Sequence, residues 1–131
     1  MVNVNYIVSD CEKGGSMEVL YFVNIGVSLI FAIGGVLTKR VTARSKPNLW
    51  FGVRNKYTME NDENWRKSNE LAGNLMMILS FIMIIPCFIY YENSFKFYMY
   101  YTNILTIVGL IIIAIIVTKY SKRFIKINKT Q

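Results

Sequence analysis

Three apolar stretches, each close to membrane length, alternate with polar ones along this chain of 131 residues. Residues 17–37 carry one charge, Glu18, at their edge, and residues 71–91 and 97–117 carry none. About twenty predominantly apolar residues suffice for a helix to cross roughly 30 Å of hydrocarbon. The pattern predicts an all-α membrane protein of a single domain with three transmembrane helices. Residues 1–16 form a polar tail, 38–70 a hydrophilic insert of loop and helix, 92–96 a turn, and 118–131 a basic tail.

Polar positions inside the apolar stretches recur at helical spacing. Asn24, Ser28, Ala32 and Gly35 follow i, i+4, i+8, i+11, which predicts a small-residue seam for close helix packing. Asn24 is its most demanding member, since an amide in lipid must find a hydrogen-bond partner. Asn103, Thr106 and Gly109 fall on one face of the third stretch and predict a second seam. Pro86 frees the carbonyl of Ile82 and predicts a kink near the far end of the second.

The insert has its own punctuation. Pro47-Asn48 predicts a turn, and Gly52 a tight bend or a close backbone approach. Asn61 is placed as an N-cap, with Asp62 and Glu63 in the first turn opposing the helix macrodipole. The helix that starts there carries Trp65, Asn69 and Gly73 on one face and runs into the second stretch.

Composition agrees with the pattern: 53% of residues are hydrophobic, more than a soluble domain of this size usually carries. The net charge of +7 in a soluble protein would suggest nucleic acid. Here the cations flank apolar spans, so anionic lipid headgroups are the expected partner and no direct nucleic-acid contact is expected. Eight Lys and Arg fall in the insert and five in the C-terminal tail, against only Lys13 and Lys96 elsewhere. That bias predicts a cytoplasmic insert and C-terminus and an N-terminus outside. Aromatic residues form two belts, Phe88, Tyr90, Tyr91, Phe95, Phe97, Tyr98, Tyr100 and Tyr101 outside, Trp50, Phe51, Tyr57, Trp65 and Tyr120 inside. Tyr120, Phe124 and Ile127 share one helical face of the basic tail, as in a helix end resting on headgroups.

Candidate chemistry is sparse. The chain has no histidine, and Cys11 and Cys87 fit no CxxC spacing and read as unpaired. Residues 1–16 lack the basic n-region of a cleavable signal peptide. Glu60, Asp62, Glu63 and Glu70 lack a Gly-centred loop at cation-ligand spacing, and helix capping explains them better. No nucleophile with its base and no phosphate loop is present, so the sequence indicates neither catalysis, nor a cofactor, nor a metal. Aromatic and basic residues beside a span are by themselves the ordinary anchoring kit of a membrane protein.

Their order adds more. Pro47-Asn48, Trp50, Gly52-Val53-Arg54, Tyr57-Thr58, Trp65, Asn69 and Ala72-Gly73 resemble the signature of the SdpI family over residues 46–73. These are small membrane proteins of the bacterial plasma membrane, whose named member gives a toxin-producing cell immunity to its own secreted toxin. The resemblance implies a two-faced receptor. An outer belt with Tyr90, Tyr91 and Tyr98 would meet a secreted peptide toxin, and the insert would present Trp50, Arg54 and Trp65 to a cytoplasmic repressor. Two departures stand out. Asn55-Lys56 replaces a Thr-Pro common in the family, which predicts a looser loop, and the named member has additional spans ahead of this module.

A reading from another class competes: a small accessory subunit stabilising a larger membrane enzyme or transporter. Its support is the seam of Asn24, Ser28, Asn103 and Thr106, which would then need outside partners. A lipid-active enzyme is disfavoured by the missing histidine and acid–base pair.

Overall fold

The computed structural model describes the backbone at residues 4–48, 50, 52–89 and 95–128, and side chains at 22–48, 50, 52–85 and 100–127. Within these residues the chain forms three helices and no strand: α1 (Val4–Arg44), α2 (Asp62–Ile89) and α3 (Phe95–Asn128). All three contain segments long and apolar enough to cross a membrane, at Phe22–Arg44, Asp62–Ile85 and Tyr100–Ile127. The predicted outer belt, apart from Tyr100 and Tyr101, lies outside the residues whose side chains are described, as do Cys11, Cys87 and the side chain of Pro86. The turn at residues 92–94 lies outside the described backbone.

The helices run up, down and up, and pairs of polar or small residues fix their register. Gly35 of α1 faces Gly73 of α2 so closely that a Cβ on either would meet the other's carbonyl oxygen, at 2.7 and 2.6 Å. Gly109 of α3 lies against Leu79, where a Cβ would come within 2.7 Å of a methyl. At the far end Thr102 of α3 donates a 2.7 Å hydrogen bond to the Asn24 side-chain oxygen. The C-terminal ends of α1 and α3 and the start of α2 therefore share one end of the bundle.

Large apolar side chains such as Ile30, Ile33, Phe81, Ile104 and Ile107 point outward, while Ser28, Thr38, Thr42, Ser80 and Thr102 are buried. This distribution suits a lipid solvent, in which apolar burial between helices gains little and close packing with internal hydrogen bonds holds them together. The buried hydroxyls bond back to the preceding turn, Ser28 to the Asn24 carbonyl at 3.0 Å and Thr106 to that of Thr102 at 2.7 Å. A modest apolar core of Ala72, Leu79, Met83, Ile113 and Val117 joins α2 to α3.

The first seam is as predicted at Asn24, Ser28 and Gly35, with Ala32 half-buried. The second is shifted: Thr102 and Thr106 face inward and Asn103 is exposed. Spacings of i, i+3 and i, i+4 both suit a helix face, and only the neighbour's position decides between them.

All three helices outrun the apolar stretches. α1 begins within the expected tail and continues to Arg44, because Lys, Arg, Val, Thr and Ala end a hydropathic span without ending a helix. It stops where Pro47 removes a backbone donor and disfavours helical geometry at Lys46. α2 starts at Asp62 with Asn61 as its cap, accepting the Asn64 N–H at 2.8 Å. It passes through Pro86 to end at Ile89, and the basic tail is a direct continuation of α3. Phe124 in that tail lies under the Lys67 ammonium of α2, 4.6 Å from its ring centroid, so part of the expected headgroup-facing stripe packs on the protein itself.

Candidate functional site

Of the insert at 38–70, residues 38–44 belong to α1 and 62–70 to α2, and the loop between them, residues 45–61, folds back onto both α2 and α3. Its central bond runs from the Val53 N–H to the Asn69 side-chain oxygen, 2.5 Å apart. Asn69 donates in turn to the Trp65 carbonyl at 2.9 Å, so its amide is held from both sides and fully buried. Gly52 makes this approach sterically feasible. Its φ is +93°, and a Cβ there would meet the Asn69 oxygen at 2.4 Å and the Trp65 ring at 3.1 Å. Val53 packs against the apolar core, and Arg54 is exposed. The Gly-aliphatic-Arg triplet thus reads as close approach, anchor and outward charge.

The second half of the loop is a closed hydrogen-bonded unit. Thr58, fully buried, bonds the Val53 carbonyl through its hydroxyl at 3.0 Å. The Asn55 side-chain oxygen accepts the N–H groups of Tyr57 and Thr58 at 2.9 and 2.8 Å, an Asx turn, while its amide donates to Thr118 of α3 at 3.1 Å. Where the family commonly has Thr-Pro, one Asn55 side chain thus supplies a turn and a tether together.

Asn64 and Ser68 complete the tie. The Asn64 amide donates to the Tyr57 carbonyl at 2.6 Å, and the Ser68 and Ser121 hydroxyls lie 2.6 Å apart. Loop, α2 and α3 are thereby joined through buried polar groups whose bonds have no competing water. Tyr57 is half-buried, with the Lys122 ammonium 5.9 Å from its ring centroid.

Of the ten residues singled out from the sequence, five form a bracket under the loop, two face outward, two form the base of that projection, and Tyr57 is half-buried near Lys122. Gly52, Thr58, Trp65, Asn69 and Gly73 form a buried bracket, Gly73 one turn beyond Asn69 at the α1–α2 crossing. Trp65 is fully buried and, among the described residues, its indole N–H has no hydrogen-bond partner, so it is a packing element and not a presented surface. Trp50 and Arg54 face outward, Trp50 with 93% of its surface exposed. Pro47 and Asn48 form the base of that projection: Asn48 accepts the Trp50 N–H at 3.1 Å and donates to the Lys46 carbonyl at 3.1 Å.

Asn64, Ser68, Thr118 and Ser121 were not singled out from the sequence, and Asn55 only as a departure from the family pattern. Asn55 carries a local signal, an asparagine ahead of a turn. The others sit on helices and gain their roles from a neighbouring element.

Comparison with known proteins meets the same stretch. A model of the SdpI/YfhL protein family matches residues 44–121, from the last residue of α1 through α2 to the Ser121 contact on α3. No curated protein and no solved structure matches the chain.

Proposed function

The chain belongs to the SdpI/YfhL protein family, and from that premise we propose that it is an immunity and signalling protein of the SdpI type in the bacterial plasma membrane. It protects against a secreted peptide toxin on the outer face, and it recruits a cytoplasmic repressor through the insert. The observation that carries this reading is the division of the 46–73 motif into a buried bracket and an outward pair. A loop that served only to connect α1 and α2 would not need Gly52, Val53, Thr58, Trp65 and Asn69 locked beneath it. Here they lie beneath a loop that leaves Trp50 and Arg54 exposed, with the Trp50 N–H bonded to the Asn48 side chain. Exposed tryptophan and arginine on one loop are the residue types of a binding hot spot. The distribution of Lys and Arg orients that end toward the cytoplasm, where a repressor would be met.

The accessory-subunit alternative drew on a polar seam in need of outside partners. Within this chain Asn24 pairs with Thr102, Ser28 with the Asn24 carbonyl, and Thr106 with the Thr102 carbonyl. Three of the four seam residues thus bond within the chain, which removes most of the support for outside partners. The test is to express the chain in a toxin-sensitive strain, challenge it with peptide bacteriocins, and follow a reporter of the repressor. Protection by the wild-type chain, with Trp50→Ala or Arg54→Ala losing induction, supports the proposal. No protection against any toxin would favour the accessory role.

A further inference from the structure

Between the C-terminal end of α1 and the first turns of α2 lies a groove of about 800 Å³ lined by Lys39, Arg40, Ala43, Arg44, Arg66 and Glu70. Four cations face one carboxylate there. Among the described residues none of these five charged side chains is in an ion pair, and Lys67 pairs instead with Glu63, 2.9 Å away. The groove opens directly beyond the Gly35–Gly73 crossing. Lys39 lies one turn past Gly35, and Glu70 about one turn before Gly73. Its position along the fold is set by the helix ends: Arg40 and Arg44 occupy the last turns of the apolar segment Phe22–Arg44, where a membrane's headgroup layer begins.

We infer that this groove binds the phosphate of an anionic phospholipid headgroup. Three observations converge. The charge is three units in excess of neutrality on the groove's own side chains, and the cations have no protein partner. Arginine forks match phosphate oxygens in geometry as well as charge. The surface below is apolar: Ile33 and Leu37, on the helical face of Arg40, are 58% and 44% exposed and provide a bed for an acyl chain. A free inorganic phosphate would use the cations but not that bed, so a lipid accounts for both features. Glu70 sets the selectivity, since its carboxylate repels a second negative charge and leaves room for one phosphate among the arginines.

The inference rests on the membrane placement of the three helices and not on immunity or repressor capture. It is tested on the full chain in detergent micelles by native mass spectrometry and by titration. The probes are phosphatidylglycerol, phosphatidylcholine and sodium phosphate. The wild-type chain retains phosphatidylglycerol in preference to phosphatidylcholine by about tenfold or more, as expected for several cations near one headgroup. Arg40→Gln/Arg44→Gln/Arg66→Gln abolishes that preference. Lys46→Gln/Lys119→Gln/Arg123→Gln, which removes the same charge elsewhere, keeps it, and Glu70→Gln strengthens it. Equal losses in both triple variants, or a weakened preference in Glu70→Gln, would overturn the groove as the site. Displacement of phosphatidylglycerol by millimolar sodium phosphate would assign the site to free phosphate instead. Release of the wild-type chain from carbonate-washed membranes would overturn the membrane placement itself, and this inference with it.

Discussion

Asn69, one turn before the crossing of α1 and α2, accepts the backbone N–H of Val53 across a gap that only a glycine at position 52 leaves open. One side chain on α2 thereby decides where the insert lies. Gly52→Ala would place a Cβ on the Asn69 oxygen at a positive φ, and Asn69→Ala would leave the half-buried Val53 N–H without its acceptor. Each change is expected to lower stability by about 1–3 kcal/mol. Because both break one contact, the double variant should lose less than the sum. Thermal unfolding of the four proteins in the same detergent checks this; strict additivity would separate the two residues.

The two tryptophans should behave oppositely. Trp65→Ala empties a fully buried site and is expected to lower stability by about 3–5 kcal/mol. Trp50→Ala touches only exposed surface and should change stability by no more than about 0.5 kcal/mol, yet it should remove repressor induction. Unfolding curves and reporter output, measured on both variants, check the contrast. A destabilised Trp50→Ala would show that the projection is part of the packing.

Asn24 and Thr102 form a side-chain hydrogen bond between α1 and α3. Asn24→Leu or Thr102→Val alone leaves a polar group in an apolar surround, with an expected loss of about 0.6–1.7 kcal/mol. The combined variant should recover part of the loss, since no orphan remains. Detergent unfolding of the set reads this directly.

Glycines in α1 offer an internal comparison. Gly26 has nothing within 4 Å of a built Cβ, whereas Gly35 lies against the Gly73 carbonyl. Gly26→Ala should be neutral or stabilising by about 0.5–1 kcal/mol through helix propensity. Gly35→Ala should be destabilising by about 1–3 kcal/mol, because the obstruction is backbone and cannot rotate away. Measuring both in one detergent removes solvent effects from the comparison.

These contrasts also mark what was legible beforehand. Hydropathy located the three helices because lipid exposure demands long apolar surfaces, and Asn61 was legible as a cap because capping is local. Trp65, Asn69 and Gly73 could be placed on one face by spacing alone. That Trp65 would be hidden while Trp50 projects was not legible, since both are tryptophans near a span and burial depends on where Gly52 brings the loop. How far α1 runs on either side of its apolar stretch was not legible, because the end of an apolar run marks the end of a membrane and not of a helix, whereas the helical continuation of α3 was legible in the shared face of Tyr120, Phe124 and Ile127. Thr102 was passed over for Asn103 because a helix face has no absolute direction until its neighbour is in place.

In the proposed function the bracketed insert faces the cell interior. Lys56 is exposed on that insert, so a cysteine there is accessible to reagent from its own side of the membrane. In a Cys11→Ser/Cys87→Ser background, Lys56→Cys should resist a membrane-impermeant maleimide in intact cells and react fully once the membrane is permeabilised. Full labelling of intact cells would place the insert outside and contradict both its orientation and its proposed partner.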